Sequence, residues 1–247
     1  MCYMDTLEVP AIKSEDRPDG YDARAFERPS VTVDVVALTA REGKLCVLLV
    51  QRGVWPFAGD WALPGGFVRM TEELDVAARR ELCEETGISN AHYLEQLYTF
   101  GGVGRDPRTR VISVAYYALL PGPESGLPAL DEPHAGTDAS EAAWYPVDAL
   151  PPLAFDHGDI LNLALTRLRA KLGYTSVAYA LLPEEFTLTE LQNVYEIILS
   201  SPLDKRNFRK KMLAAEILEA TPRQKRDGAH RPAQLYRFTR REPVFLD

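Results

Sequence analysis

The sequence predicts an α/β protein in two parts: a domain with a mixed β-sheet and packed helices over residues 30–173, then a winged helix-turn-helix over 174–247. Three observations predict it. Runs rich in β-branched residues alternate with stretches of helical periodicity from Val31 to Leu172. Past Gly173 the texture changes to two amphipathic helices followed by two short strands. Charge also segregates, since residues 201–241 hold 12 Lys or Arg against four acids, while the rest of the chain holds 16 against 32. An acidic body with a basic C-terminal segment suggests two separate tasks.

Residues 1–29 alternate charge and apolarity without the apolar middle of a signal peptide, and are expected to form a loosely ordered arm. From Val31, VTVDVVALTA and KLCVLLVQR predict two strands joined by a turn around Arg41 to Lys44. WALPGGFV is rich in Gly and Pro and predicts a loop. A helix is expected from about Thr71 to Thr86, stopped by Gly87 as its C-cap. Strands follow at AHYLEQLYTF, RVISVAYYALLP and EAAWYPV, the first two separated by the polar loop GGVGRDPRTR. A second helix runs from about Gly158 to Leu172 with an apolar face that includes Ile160, Leu161, Ala164, Leu165 and Leu168.

In the last part, Thr187-x-x-Glu190 has the form of a capping box. Leu191, Val194, Tyr195, Ile198 and Leu199 then line one face of a helix. The turn SSPL leads to Asp204, a good N-cap for a second helix with Phe208, Met212 and Ala215 inward. Arg206, Asn207, Lys210 and Lys211 share its opposite arc. EILEAT and AQLYRFT predict strands around the basic turn PRQKRDGAHRP, completing a winged helix-turn-helix.

The bulk numbers exclude several classes. Hydrophobic content of 46% with 26% charged residues belongs to a globular chain, and no apolar run is long enough for a membrane span. The cysteines, Cys2, Cys46 and Cys83, are odd in number and far apart, so they suit neither a disulfide framework nor a zinc site. A cytoplasmic setting is expected.

The segment GFVRMTEELDVAARRELCEETGI, residues 66–88, fits the pattern G-x5-E-x7-R-E-U-x-E-E-x-G-U, with U bulky and apolar, at every specified position. The matching residues are Gly66, Glu72, Arg80, Glu81, Leu82, Glu84, Glu85, Gly87 and Ile88. Such a match arises by accident somewhere in a chain of this length with a chance of roughly one in ten million. The spacing suits a chemistry. Glu81, Glu84 and Glu85 fall within one helical turn, where three carboxylates repel one another unless cations lie between them. Hard oxygen donors of this kind hold Mg2+, with Mn2+ as the alternative, and a diphosphate needs such a cation to neutralise its charge. A solvated acidic face is the competing reading, which Arg80 and the glycines at fixed spacing disfavour.

With this box the chain resembles the Nudix hydrolases, which implies an α/β/α sandwich. The resemblance implies Glu81 and Glu85 as principal metal ligands, Glu84 supporting them, and the Gly65 carbonyl completing the shell. Glu72 and Arg80 would orient the catalytic helix and its loop, while Gly66 and Gly87 let the backbone turn. The segments VQRGVWPFAGDWALPGGFV and GRDPRTRVISVAYYALL are similar to the branch that handles ADP-ribose. That similarity implies Arg52, Trp55, Phe57, Gly66, Arg105 and Arg108 as contacts to ADP-ribose or a related nucleoside diphosphate. For Trp55 the competing role is an ordinary core or interface aromatic, and for the arginine loop a solvated hairpin tip.

The Nudix part followed by PLAFDH, FTLTELQNVYEIIL, SSPLDKRNFRKKML and HRPAQLYRF is similar to Nudix-related transcriptional regulators of the NrtR type, over about Ser30 to Thr239. That resemblance implies control of NAD metabolism, a response to ADP-ribose, a homodimer, and binding to double-stranded DNA. The DNA contacts would map onto Lys205, Arg206, Asn207, Arg209 and Lys210 of the basic helix and Arg223, Lys225, Arg226 and Arg231 of the wing. Arg and Asn suit base edges in the major groove, and Lys and wing Arg suit phosphates. Many such regulators have a degraded Nudix box, whereas here every box residue is present. Two functions therefore stand side by side. One is an ADP-ribose-responsive DNA-binding regulator whose Nudix domain retains Mg2+-dependent hydrolysis to AMP and ribose 5-phosphate. The alternative is a dedicated ADP-ribose pyrophosphatase whose C-terminal module does not bind DNA.

Overall fold

The structure, a computed structural model, describes residues 22, 25–89, 91–122, 139–226 and 232–246. Most of the N-terminal arm lies outside the described residues, as does Arg231 of the wing. Strand β1 (Ser30–Arg41) turns back into β2 (Lys44–Arg52) through Glu42 and Gly43 alone. Both have positive φ, 50° and 72°, as the tightest hairpin turn requires, and Gly43 adopts it without steric cost.

Two short strands, β3 (Trp61–Ala62) and β4 (Gly65–Phe67), occupy the segment expected to be a loop. The correction has a simple cause. The second half of β1 pairs with β2, from Leu38 opposite Val47 onward, but its first half diverges from β2. β4 fills that vacated edge, with Thr32, Val33 and Asp34 opposite Phe67, Gly66 and Gly65, and Val35 N–H donates to the Pro64 carbonyl between them. Tertiary pairing thus overrides the weak strand propensity of Gly and Pro. β1 and β2 fork there, and the cleft of the fork is where the candidate site forms.

Helix α1 (Leu74–Thr86) follows, then β5 (Tyr93–Phe100), β6 (Val111–Leu119), β7 (Ala139–Pro146) and α2 (His157–Leu172). β1 runs parallel to β6 and antiparallel to β2, and β5 and β7 add antiparallel edges, so the sheet is mixed. α1 begins three residues later than expected. Glu72 is committed to the loop, accepting from Arg69 N–H and from Arg80. It ends as expected, with Gly87 left-handed at φ 75° and its N–H on the Cys83 carbonyl.

Successive residues of β1 face opposite layers. Val33, Val35 and Ala37 pack with Ala77, Ala78 and Leu82 of α1. Val36 and Leu38 pack with Ile160, Leu161, Ala164 and Leu168 of α2. Both faces of the sheet are covered, giving an α/β/α sandwich.

Past α2 a 3-10 turn (Val177–Leu181) and β8 (Phe186–Thr187) lead into α3 (Leu188–Leu199), α4 (Lys205–Ala214), β9 (Leu218–Lys225) and β10 (Ala233–Phe238). The capping box is present in full: Thr187 Oγ1 accepts from Glu190 N–H, and the Glu190 carboxylate accepts from Thr187 N–H. Asp204 caps α4 through Asn207 N–H. β9 reaches Lys225, farther into the basic turn than expected, because it pairs with β10 as far as Ala233. This three-stranded sheet with α3 and α4 is a winged helix. Its Leu191, Val194, Ile198, Phe208 and Met212 belong to the same contiguous apolar cluster as the α2 face of the sandwich, so the two modules share one core.

The C-terminal segment, unassigned by sequence, clasps the junction between them. Leu246 N–H donates to Tyr174 O and Ser176 N–H to Val244 O. Arg241 donates to the carbonyls of Tyr179, Leu182 and Pro183. Deleting residues 240–247 is expected to lower stability by about 1–2 kcal/mol, a fall of roughly 3–8 °C in the circular-dichroism midpoint. An unchanged midpoint would mean that the clasp contributes nothing.

Candidate functional site

The α1 helix presents the box residues to the fork through Arg80. Its guanidinium donates to both Glu72 carboxylate oxygens at 2.8 and 2.6 Å and to the Phe67 carbonyl at 3.2 Å, tying α1 to β4. It also reaches Glu81 Oε1 at 2.7 Å and Glu84 Oε2 at 2.9 Å. Glu72, bonded so, is held below the usual carboxylate range.

Glu81 and Glu85 sit differently. Burial pushes the Glu81 carboxyl up despite its bond to Arg80, and burial pushes Glu85 up to about 7, with the charges of Glu81 and Asp34 adding to it. Glu85 accepts from Gly65 N–H at 3.0 Å. Glu84 turns outward, half exposed, to Arg69 at 3.1 Å and Arg80. Of the three carboxylates expected together, Glu84 thus faces these two arginines, while Glu81 and Glu85 lie on the buried side of α1.

The start of β4 beside the pair has no room for side chains. A Cβ on Gly66 would stand 2.5 Å from Glu81 Oε1, and one on Gly65 would stand 2.3 Å from the Val33 carbonyl. Two partly desolvated carboxylates facing bare backbone suit a hard divalent cation, whose charge would relieve the cost of ionising both.

Of the two, Glu85 lines the cleft of the fork. Arg52, Gly66, Arg105 and Arg108 line it, with Asp34, Phe155 and His157. The structure therefore brings together four of the six residues expected at the ligand. Trp55 is not among them, being 70% exposed on the loop beyond β2. Phe57 reaches the cleft only by packing edge-on against Phe155, with ring centroids 4.8 Å apart. Phe155 forms an aromatic wall on which Arg52 and Arg108 lie, 4.9 and 5.8 Å from its centre.

Two of the three loop arginines are held by internal carboxylates, and the third, Arg110, donates to the carbonyls of Gly101 and Gly102. Arg108 forks onto Asp106 at 3.0 and 2.7 Å. Arg105, buried, forks onto Asp156 at 2.9 and 2.5 Å and reaches Asp34 at 3.4 Å. Asp34 also accepts from the Ser113 hydroxyl. His157 Nδ1 accepts from Leu63 N–H at 2.9 Å, and burial lowers its pKa, so the ring is neutral with its proton on Nε2, 3.6 Å from Asp34. Sequence reasoning assigned no role to Phe155, Asp156 or His157, although PLAFDH contains all three.

On the winged helix, Lys205, Arg206, Asn207 and Lys210 of α4 are exposed, opposite buried Phe208 and Met212. Arg209 is half-buried and donates to Thr189 Oγ1 at 3.3 Å, apart from that exposed arc. In the wing, Arg223 pairs with Glu185 at 2.9 Å and Lys225 with Glu190 at 2.7 Å, while Arg226 is exposed at the end of β9.

Comparison with known proteins matches both modules. The NUDIX domain model matches residues 28–164, and the NrtR DNA-binding winged helix domain model matches residues 178–238. Over 220 residues, 88% of the chain and 85% of the relative, the sequence is 40% identical to the ADPR responsive transcriptional repressor NtrR of Acinetobacter baylyi. The fold is similar to Shewanella oneidensis NrtR complexed with a 27mer DNA, with TM-score 0.70 and 36% identity over 85% of this chain and 93% of that one. It is similar also to the NUDIX domain of that protein complexed with ADP ribose, with TM-score 0.52 and 36% identity over 60% of this chain and 94% of that one.

Proposed function

The chain belongs to the Nudix family, in the branch that ends in an NrtR winged helix, and from that premise we propose an ADP-ribose-responsive DNA-binding repressor that keeps a working pyrophosphatase site. The observation that carries the reading is the presence in one chain of a cleft lined by Glu85, Arg52, Arg105 and Arg108 and of an exposed basic face on α4. The likeness to a DNA complex and to an ADP-ribose complex of one relative supports assigning the two ligands to these two modules.

In this reading Glu81 and Glu85 hold a divalent cation, Mg2+ in the first instance, beside the backbone of Gly65 and Gly66. Bound there, the cation would neutralise a diphosphate and lower the pKa of an attacking water. Arg80 holds α1 against β4, so both carboxylates keep one position throughout. Arg52, Arg105 and Arg108 bind anionic or ribose oxygens of the ligand, and Phe155 offers an aromatic face to its base or sugar. The cleft encloses about 140 Å3, below the roughly 300–1,000 Å3 usual for a whole ligand. A nucleoside diphosphate would therefore extend over the mouth, where Val54, Phe57 and Phe67 are exposed.

At the other end Arg206 and Asn207 would read base edges, while Lys205, Lys210 and Arg226 take phosphates. A homodimer would present two α4 helices to a palindrome. No helix among the described residues is long and apolar enough to cross a membrane.

The test is selection of duplex fragments from genomic DNA by the full chain, with and without ADP-ribose and Mg2+. Enrichment of a palindromic site, weakened or strengthened by ADP-ribose, is expected. No enrichment at low salt would leave the dedicated pyrophosphatase in its place, since phosphate contacts are strongest there.

A further inference from the structure

Among the described residues three α-helices begin with a residue able to cap them, and two of the three are capped by it. Thr187 caps α3 and Asp204 caps α4 through their own side chains. Asp156 stands at the N-cap of α2 with φ −98° and ψ 22°, and its carboxylate makes no cap bond. Aspartate is among the strongest N-capping residues, because its oxygen satisfies an N–H that the helix leaves unpaired; in α2 the Asp159 N–H already donates to the Asp156 carbonyl at 3.0 Å, so the first-turn amide a side-chain cap would serve is that of Gly158. Here both carboxylate oxygens are spent on Arg105 instead.

The position of this exchange matters. The first turn of α2 is fastened into the cleft at two adjacent residues: Asp156 holds Arg105, and His157 holds Leu63 N–H just ahead of Gly65 and Gly66. About 24 Å away along the 16-residue helix, the other end bears on the winged helix. Arg169 donates to the Ile198 carbonyl of α3 at 3.0 Å. Arg169 and Leu172 also border the cleft that Tyr195 of α3 and Phe208 and Met212 of α4 complete. One rigid element therefore touches the ligand cleft with its first turn and the DNA-facing module with its last.

We propose that Asp156 is the positioning residue that couples the two sites. In the arrangement observed its carboxylate serves as the counter-ion of Arg105. An entering diphosphate takes over the Arg105 guanidinium, and Asp156 returns to cap α2. Asp34, which accepts from the same Nη2 at 3.4 Å, remains to hold the buried guanidinium, so Arg105 need not leave the cleft. The ligand has a stronger claim on Arg105 than one carboxylate has, because it offers two charges and several acceptor oxygens. The alternatives differ in the order of the first turn of α2, which is the differential interaction a ligand-driven shift requires. Asp106 holds Arg108 in the same manner but lies in the loop between β5 and β6, away from any helix leading to the winged module.

The inference rests on the cleft being the ADP-ribose site, and the experiment separates the two. The full chain, wild type and variants, is titrated with α,β-methylene ADP-ribose, which cannot be cleaved, and with the selected duplex. Asp156→Asn can cap α2 but carries no charge for Arg105. It is expected to bind the analogue about tenfold more tightly, and its ligand-free duplex affinity should shift toward the wild-type liganded value. Asp156→Ala removes the competitor and the cap together. It should bind the analogue more tightly while duplex affinity no longer follows the analogue. In the wild-type chain, hydrogen exchange at the amide of Gly158 should slow on analogue binding, a readout that needs no variant to fold. Variants binding the analogue no better than wild type, or unchanged exchange at that amide, would overturn the coupling role alone. A wild-type chain that binds no analogue would overturn it together with the function proposed above.

Discussion

Glu85→Gln is expected to cut Mg2+-dependent cleavage of ADP-ribose by more than about a hundredfold, since loss even of a group supporting a metal ligand costs 10- to 100-fold. The substitution is nearly isosteric and keeps an oxygen to accept from Gly65 N–H, so the loop geometry survives. What it removes is charge. Glu85 sits in partly desolvated surroundings beside Glu81, and a neutral amide there cannot share a divalent cation with it. A second readout follows from mass action: Mg2+ should raise the thermal midpoint of the wild-type chain, because it binds the folded state, and should fail to raise that of Glu85→Gln. Duplex binding without ligand should be unaffected. α1 lies on the sheet face opposite α2, and the winged helix joins the α2 side of the core. Turnover at the wild-type rate would sink the assignment of Glu85 to the metal.

Glu84→Gln separates the box residues further. Its carboxylate is half exposed and answers to Arg69 and Arg80 rather than to the cleft. The i, i+3 and i+4 rule places three carboxylates on one face, but it cannot tell which of them a neighbouring cation will draw away. Arg80 is a specified residue of the motif and Arg69 one of its unspecified positions, and the place of both beside Glu84 exists only once β4 has folded against β1.

Other features were legible because their physics is local. Thr187 and Glu190 cap α3 across three residues, Gly87 closes α1 in a left-handed conformation that glycine adopts freely, and the alternation along β1 assigns its side chains to two layers. The features that escaped are contacts across long stretches of chain. His157 meets Leu63 from 94 residues away, and Arg105 meets Asp156 from 51. Nothing in the composition of PLAFDH says that its aspartate will forgo its own helix for a distant guanidinium. The strand pairing of β4 is of the same kind, since glycine and proline argue against a strand until the open edge of β1 is seen. The C-terminal clasp is missed for a further reason: its bonds run largely to backbone carbonyls, which every sequence possesses.

Replacing Arg206 and Lys210 together by Ala is expected to cost about 2–4 kcal/mol of duplex affinity, roughly thirty- to a thousandfold, if one reads a base and the other a phosphate. The residues stand at i and i+4 on the exposed side of α4, while Phe208 and Met212 hold the opposite side in the core. Their loss should therefore leave the fold, and ADP-ribose hydrolysis, as in the wild type. Salt dependence distinguishes their roles. Each lost phosphate contact lowers the slope of log affinity against log salt by about 0.9, whereas loss of a base contact relaxes sequence preference without that change. Arg209→Ala serves as the contrast within the same helix. Arg209 is half-buried and bonded to Thr189 of α3, so its loss should register in thermal stability before it registers in the salt slope. Should the double variant bind duplex as tightly as wild type with the slope unchanged, α4 is not the recognition helix. If Arg226→Ala then also left binding intact, the basic segment would lose its claim to DNA, and the Nudix cleft would remain as an enzyme without a regulatory partner.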